Sequence, residues 1–309
     1  MSAAAETTPA RSARGQLAVA MAAVAWSTAG VLQRQLSVGV AMQVAGRALF
    51  AAVAVGAYVA LTERGRFLAA CRSVGGAGVA FAACVAISSA SFMVALNHDS
   101  VAQVLFIQAI SPMLAALLGR ALLGERLSRR TVLAMVVALV GVGVMVGSPG
   151  AGSALGDGLA VLMALGFAVA IVIARHRRDV SMAPATGLAQ IMLVVAVMPL
   201  AIAGGGHVGL ANVLWLALFG AGQIGLGLIL LTIGARLIPA AQVALISLLE
   251  VVLGPLWVWL AVNERPSVAT IIGGAIVVVA VVLQALQPAS PGNGGPAATS
   301  AAAAEHPPR

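Results

Sequence analysis

Ten stretches of this chain are apolar almost throughout, at about 16–33, 41–61, 74–96, 101–119, 131–147, 158–174, 185–203, 211–233, 240–262 and 267–285. Most approach the ~20 residues that carry a helix across the hydrocarbon core of a bilayer. Charged residues make up only 8% of the chain. A water-soluble domain uses about 25% to cover its surface, so most of this surface must face lipid. Backbone polar groups have no water to bond to there, and apolar runs of this length satisfy them as helices. The gaps between runs are short and carry breakers such as Ser148-Pro149-Gly150 and Gly204-Gly205-Gly206.

The net charge of +8 comes wholly from arginine. All of these arginines but Arg47 lie outside the apolar runs and form no basic face with interleaved aromatics, which argues against nucleic acid as a partner. With the N-terminus inside, Arg11, Arg14, Arg64, Arg66, Arg72, Arg120, Arg126, Arg129, Arg130, Arg175, Arg177, Arg178, Arg236 and Arg309 are cytoplasmic, and only Arg34, Arg47 and Arg265 are not. That asymmetry predicts a multi-pass membrane protein with both termini in the cytoplasm. The first run is too long for a signal-peptide core and lacks a clear cleavage site, so it is expected to be retained. Cys71 and Cys84 are too few for a disulfide framework and form no metal-ligand set.

The chain also repeats itself. "AQV" at 102–104 returns at 241–243, "GER" at 124–126 lies over "NER" at 263–265, and Ser128 lies over Ser267. "LAVAMA" at 17–22 resembles "LAVLMA" at 159–164. Two halves of five spans follow, and an odd number of spans sets the halves in opposite orientations, an architecture used by transporters. The expected fold is therefore an all-α polytopic membrane protein, with ten transmembrane helices forming two inverted five-helix repeats. The organisation is a cytoplasmic tail over 1–15, repeats over 16–147 and 158–285, and a disordered cytoplasmic tail over 286–309 whose Pro, Gly and Ala content cannot build a core.

These features resemble the EamA family of the drug/metabolite transporter superfamily. "ALNHDSVAQVLFIQAISPMLAALLGRALLGERLS" at 95–128 is similar to its fourth-helix signature, and "LEVVLGPLWVWLAVNERPS" at 249–267 to its ninth. The resemblance covers roughly residues 16–285. It implies a ten-helix basket with a central cavity, usually an inner-membrane exporter, and leaves the substrate open.

Candidate site residues are the polar ones at membrane depth. Glu250 stands near the centre of an apolar run, where a charge facing lipid costs at least ~2.5–3.5 kcal/mol. It is either a cavity residue able to exchange protons, or a residue that is buried and neutral or paired with an arginine for packing. Ser247 lies three residues before it, and their counterparts across the repeat are Gln108 and Ser111. Residues three apart share a helix face, so two matching polar faces are expected to look into one cavity. Arg47 either meets a substrate carboxylate or Glu250, or snorkels to the interface. Trp26 is a cavity wall or a packing residue, Ser27 and Thr28 hydrogen-bond between or within helices, and Gln223 needs a partner for its amide. Gln103 and Gln242 cap or bridge, Asp99 is expected to cap a helix or to accept protons beside His98, and Glu125 and Glu264 read as interfacial.

No Walker motif and no metal-ligand cluster is present in the sequence, and the glycines of "GVGVMVG" at 141–147 lie inside a span. The expectation is a non-enzymatic secondary transporter without cofactor. Its partners would be a small-molecule substrate (amino acid-like or drug-like) and the lipid bilayer, and it would act as a monomer or homodimer. A flippase for a lipid-linked precursor is the alternative, and a membrane-embedded enzyme or assembly factor a third reading.

Overall fold

The computed structural model describes residues 9–62, 72, 75–123, 129–146, 153–177, 182–206, 208–235, 237 and 240–285. Among them every regular element is a helix: α1 (Pro9–Ser27), α2 (Ala29–Arg34), α3 (Val40–Thr62), α4 (Gly75–His98), α5 (Val101–Gln108), α6 (Ser111–Leu123), α7 (Arg129–Val146), α8 (Ala154–His176), α9 (Ala183–Ala203), α10 (Leu210–Ala217), a π-helical segment (Leu218–Leu226), α11 (Gly227–Ala235), α12 (Ala240–Val262) and α13 (Val268–Ala285). Seven spans are long and apolar enough to cross a membrane, and three shorter apolar helices occupy Val132–Gly141, Leu249–Val262 and Val268–Ala280. Leu61, Leu122, Val195, Leu210 and Val268 are among the many large apolar side chains left exposed. That is the surface expected of a chain whose solvent is lipid. The tail over 286–309, Cys71, Glu125 and the side chain of Gln242 lie outside the described residues.

The halves pack as the repeat demands. Numbering the apolar helical units in chain order, with α1–α2, α5–α6 and α10–π–α11 each taken as one and each unit called a crossing for reference, the first packs on the eighth and ninth, and the sixth packs on the third and fourth. The second meets the seventh and eighth, the third meets the seventh, and the fifth meets the tenth. Exchanging the halves carries this set of contacts onto itself. Small residues permit the closest approaches, as is general between membrane helices: a Cβ on Gly141 would meet the Gly273 carbonyl at 2.7 Å.

Two crossings are broken where the sequence suggested continuous helices. At Thr28, the Ser27 and Thr28 hydroxyls donate to the carbonyls of Val24 (2.7 Å) and Ala25 (2.6 Å), back-bonding that bends helices. The other break falls at Ala109 and Ile110. Pro112 has no N–H to offer the Gln108 carbonyl four residues earlier, and the Ser111 hydroxyl donates to that carbonyl instead, at 2.6 Å. Gln108 and Ser111 thus flank a break; they do not lie three apart on one continuous face.

Candidate functional site

Three helices begin at the same end of the bundle, and a serine caps each. Ser100 Oγ accepts the Gln103 N–H at 3.3 Å, Ser153 Oγ the Gly156 N–H at 3.0 Å, and Ser267 Oγ the Thr270 N–H at 3.1 Å. Helix N-termini carry partial positive charge, and three acidic residues, Asp99, Asp157 and Glu264, gather here. Glu264 Oε1 accepts the Val101 N–H at 2.8 Å, and its Oε2 lies 2.8 Å from Arg34 Nη2. Arg34 also donates to the Leu96 carbonyl at 2.6 Å and the Asp99 carbonyl at 3.2 Å. Glu264 therefore does more than sit at an interface: with Arg34 it ties the first, third, fourth and ninth crossings together. Asp99 does not cap its own helix. Ser100 holds that place, and the buried Asp99 carboxylate reaches across to accept the Ser153 N–H at 2.5 Å, at the start of α8. Burial raises the Asp99 pKa above the ordinary aspartate value, against the pull of the Ser153 hydrogen bonds and of His98. Gln103 bridges, as one of its expected roles had it: its amide donates to Asp157 and accepts from Thr270. Beside this network lies a cleft of about 420 Å³ whose walls include Asn97, His98, Arg265 and Thr270.

Farther from this end, α5 and α12 run antiparallel face to face. Val101 meets Glu264, and a Cβ on Gly254 would strike the Leu105 side chain. One turn farther along each helix comes Gln108 on α5 and Glu250 on α12, with Ser111 and Ser247 beyond them. Gln108 Oε1 is buried without a hydrogen-bond partner. Glu250 and Ser247 are half-buried, and Arg34–Glu264 is the one ion pair among the described residues. Glu250 is not paired with an arginine among those residues, so nothing described there neutralises it. Ser111 is buried and occupied at the break.

Arg47 does not snorkel. It stands two turns into α3 with 2% of its surface exposed, because α4 and the π segment close over it. Nη2 donates to the Ser89 hydroxyl and, at 3.3 Å, to the Ser89 carbonyl, while Nε has no partner. The guanidinium carbon lies 5.9 Å from the Phe92 ring centre and 5.1 Å from that of Phe219, within cation–π range. No carboxylate among the described residues is ion-paired with it. Those contacts recover ~0.5–2 kcal/mol each, against a cost of at least ~2.5–3.5 kcal/mol for a charge at membrane depth.

Gln223, one turn beyond Phe219, donates to the Trp26 carbonyl at 3.2 Å and keeps a buried, unpartnered Oε1. Trp26 packs its indole on Gly227. Ser27 is fully buried, and its hydroxyl receives the Trp257 indole N–H at 3.0 Å. The structure thus sets Arg47 against the Phe219 ring, ties Gln223, one turn farther on the same segment, to the Trp26 carbonyl, and joins Ser27 to α12 through Trp257.

The sequence profile of the EamA-like transporter family matches residues 13–147 and again 154–286. The chain belongs to the EamA-like transporter family. Its two matches are the two halves whose contacts exchange, and members of the family are membrane transporters. A solved structure titled only as the crystal structure of a protein shares the fold, with a TM-score of 0.63 and 20% identity over 88% of this chain and 96% of that one. No curated protein matches the chain.

Within this EamA chain, sequence reasoning missed Ser89, Phe92 and Phe219, the partners of Arg47. It also missed a cluster in which Gln33 donates to Asn97 at 3.0 Å and Asn97 to Gln43 at 3.1 Å. "SSAS" at 88–91 was the available signal, since hydroxyls seldom cluster in an apolar run without a polar group to meet. Gln190, buried with a lone Oε1 on α9, gave no pattern to read.

Proposed function

We propose that this EamA-family protein is a secondary transporter that exports a small organic metabolite across the inner membrane, with ten spans and both termini cytoplasmic. Substrate binds near the midplane, where the corresponding fourth and ninth crossings carry Gln108, Ser111, Ser247 and Glu250. The observation that carries this reading is the polar layer itself. A buried amide oxygen and a carboxylate stand without partners on facing helices of opposite repeats, and buried polar groups left in that state are costly unless something else binds them. Such a layer between inverted repeats is where transporters hold their substrates. The Arg34–Glu264 network seals one end of this layer, the outer one by the arginine count. Export requires that this end open while the other closes, and Glu250 is the group able to couple that exchange to protons.

Untargeted profiling of cells and medium, with and without overexpression, tests the proposal. One or a few water-soluble metabolites should be enriched in the medium and depleted in the cells. No enrichment would contradict export, and a lipid-linked precursor accumulating in a deletion strain would favour a flippase.

A further inference from the structure

We infer that the exported compound carries a carboxylate, as an organic anion or a zwitterion, and that Arg47 is the residue that takes it. This rests on the transport reading and names the substrate class of that route. The guanidinium is a permanent cation buried inside the helix bundle, and its hydrogen bonds all leave from Nη2 toward a single residue, Ser89. Nε faces no acceptor, so the edge that grips a carboxylate with two parallel hydrogen bonds has only one of its positions in use. Phe92 and Phe219 hold the plane of the group and offer no counter-charge.

The neighbouring backbone is built for close approach at this point. Gly220 follows Phe219 in the π-helical segment, and a Cβ there would collide with the Arg47 carbonyl and come within 2.8 Å of the Ala51 nitrogen. π-helical turns are frequent at functional sites, and this one supplies both Phe219 and Gln223. The unpartnered Gln223 Oε1 is an acceptor on the same segment, fit for an ammonium or hydroxyl of the same molecule. A cationic substrate would meet Arg47 as a like charge, and a purely apolar one would leave the cation without a counter-ion.

The test profiles media from cells expressing wild type, Arg47→Lys and Arg47→Gln at matched levels of folded, detergent-extracted protein. Compounds enriched by the wild type should carry a carboxylate, and their export should fall at least tenfold in both variants, because lysine lacks the planar fork. Enriched compounds that lack a carboxylate would overturn the inference while leaving export intact, as would wild-type rates through Arg47→Gln. A wild type that enriches nothing would overturn the transport reading and this inference with it. Should Arg47→Gln fail to fold, purified wild type decides. The compound recovered from the medium should raise its thermal midpoint and its carboxamide analogue should not; equal shifts would overturn the inference.

Discussion

Arg34 and Glu264, 230 positions apart in the chain, form an ion pair at 2.8 Å while the same carboxylate closes the first turn of α5 through the Val101 N–H. The pair joins the first crossing to the end of the ninth. A quarter of each side chain is exposed (25% and 23%), so the charge interaction is worth at most ~1 kcal/mol. Its strength suits a contact that, on the proposed mechanism, breaks in every cycle.

Glu264→Gln should therefore lower stability by only about 1 kcal/mol, yet favour the open state of this end. A thiol reagent applied to Asn97→Cys, in a chain with Cys71 and Cys84 replaced by alanine, should react several-fold faster when Glu264 is glutamine. Equal rates would show that the pair does not hold the end closed.

Gly220→Ala should cost ~1–3 kcal/mol, the usual penalty of overpacking, because the added methyl meets backbone atoms of Arg47 and Ala51 that cannot swing aside. Gly143→Ala is the control, since nothing lies within 4 Å of its Cβ position. Thermal midpoints in detergent should fall for the first and hold for the second.

Asp99 gives a pH-dependent outcome. Its carboxyl titrates above the usual aspartate range because it is buried, so the folded state penalises the ionised form. That penalty is absent below about pH 4, where the unfolded carboxyl is also protonated, and grows as pH rises through the folded value. Asp99→Asn keeps an acceptor for the Ser153 N–H and removes the ionisation. Its stability at pH 7 should equal or exceed that of wild type, with the gain vanishing toward pH 4. A loss at pH 7 would mean that the ionised carboxylate is needed at the α8 N-terminus.

Glu250→Gln separates coupling from packing. The amide keeps the shape and cannot ionise, so pH-gradient-driven flux of the exported compound in proteoliposomes should be lost while equilibrative exchange survives. Undiminished pH-sensitive flux would leave Glu250 a structural residue.

The helices were legible because a bilayer imposes length and hydrophobicity on every crossing, and the repeat was legible because "AQV" and the Glu-Arg pairs recur at one offset. The Gln108–Ser111 break was legible in principle from Pro112, whose missing N–H dictates it. The π winding over Leu218–Leu226 was not. Its glycines signal close approach, but the winding itself depends on what α3 presents to them. The partners of Arg47 were hidden for a similar reason: Ser89 and Phe219 lie 42 and 172 positions away, and no local pattern links aromatic rings to a distant cation. Arg34 was visible as an outer-side arginine and Glu264 as an interfacial charge, and only the packing of α2 against α12 makes them partners.

The central claim is that substrate passes through a midplane layer that opens by turns at either end, so holding the Arg34–Glu264 end shut must stop transport. Arg34→Cys/Glu264→Cys, in the background lacking Cys71 and Cys84, can be bridged with a short reducible thiol-to-thiol reagent and reconstituted with the compound identified by profiling. Flux should stop on bridging and return when the bridge is reduced. Flux that continues unchanged through fully bridged protein would contradict the account.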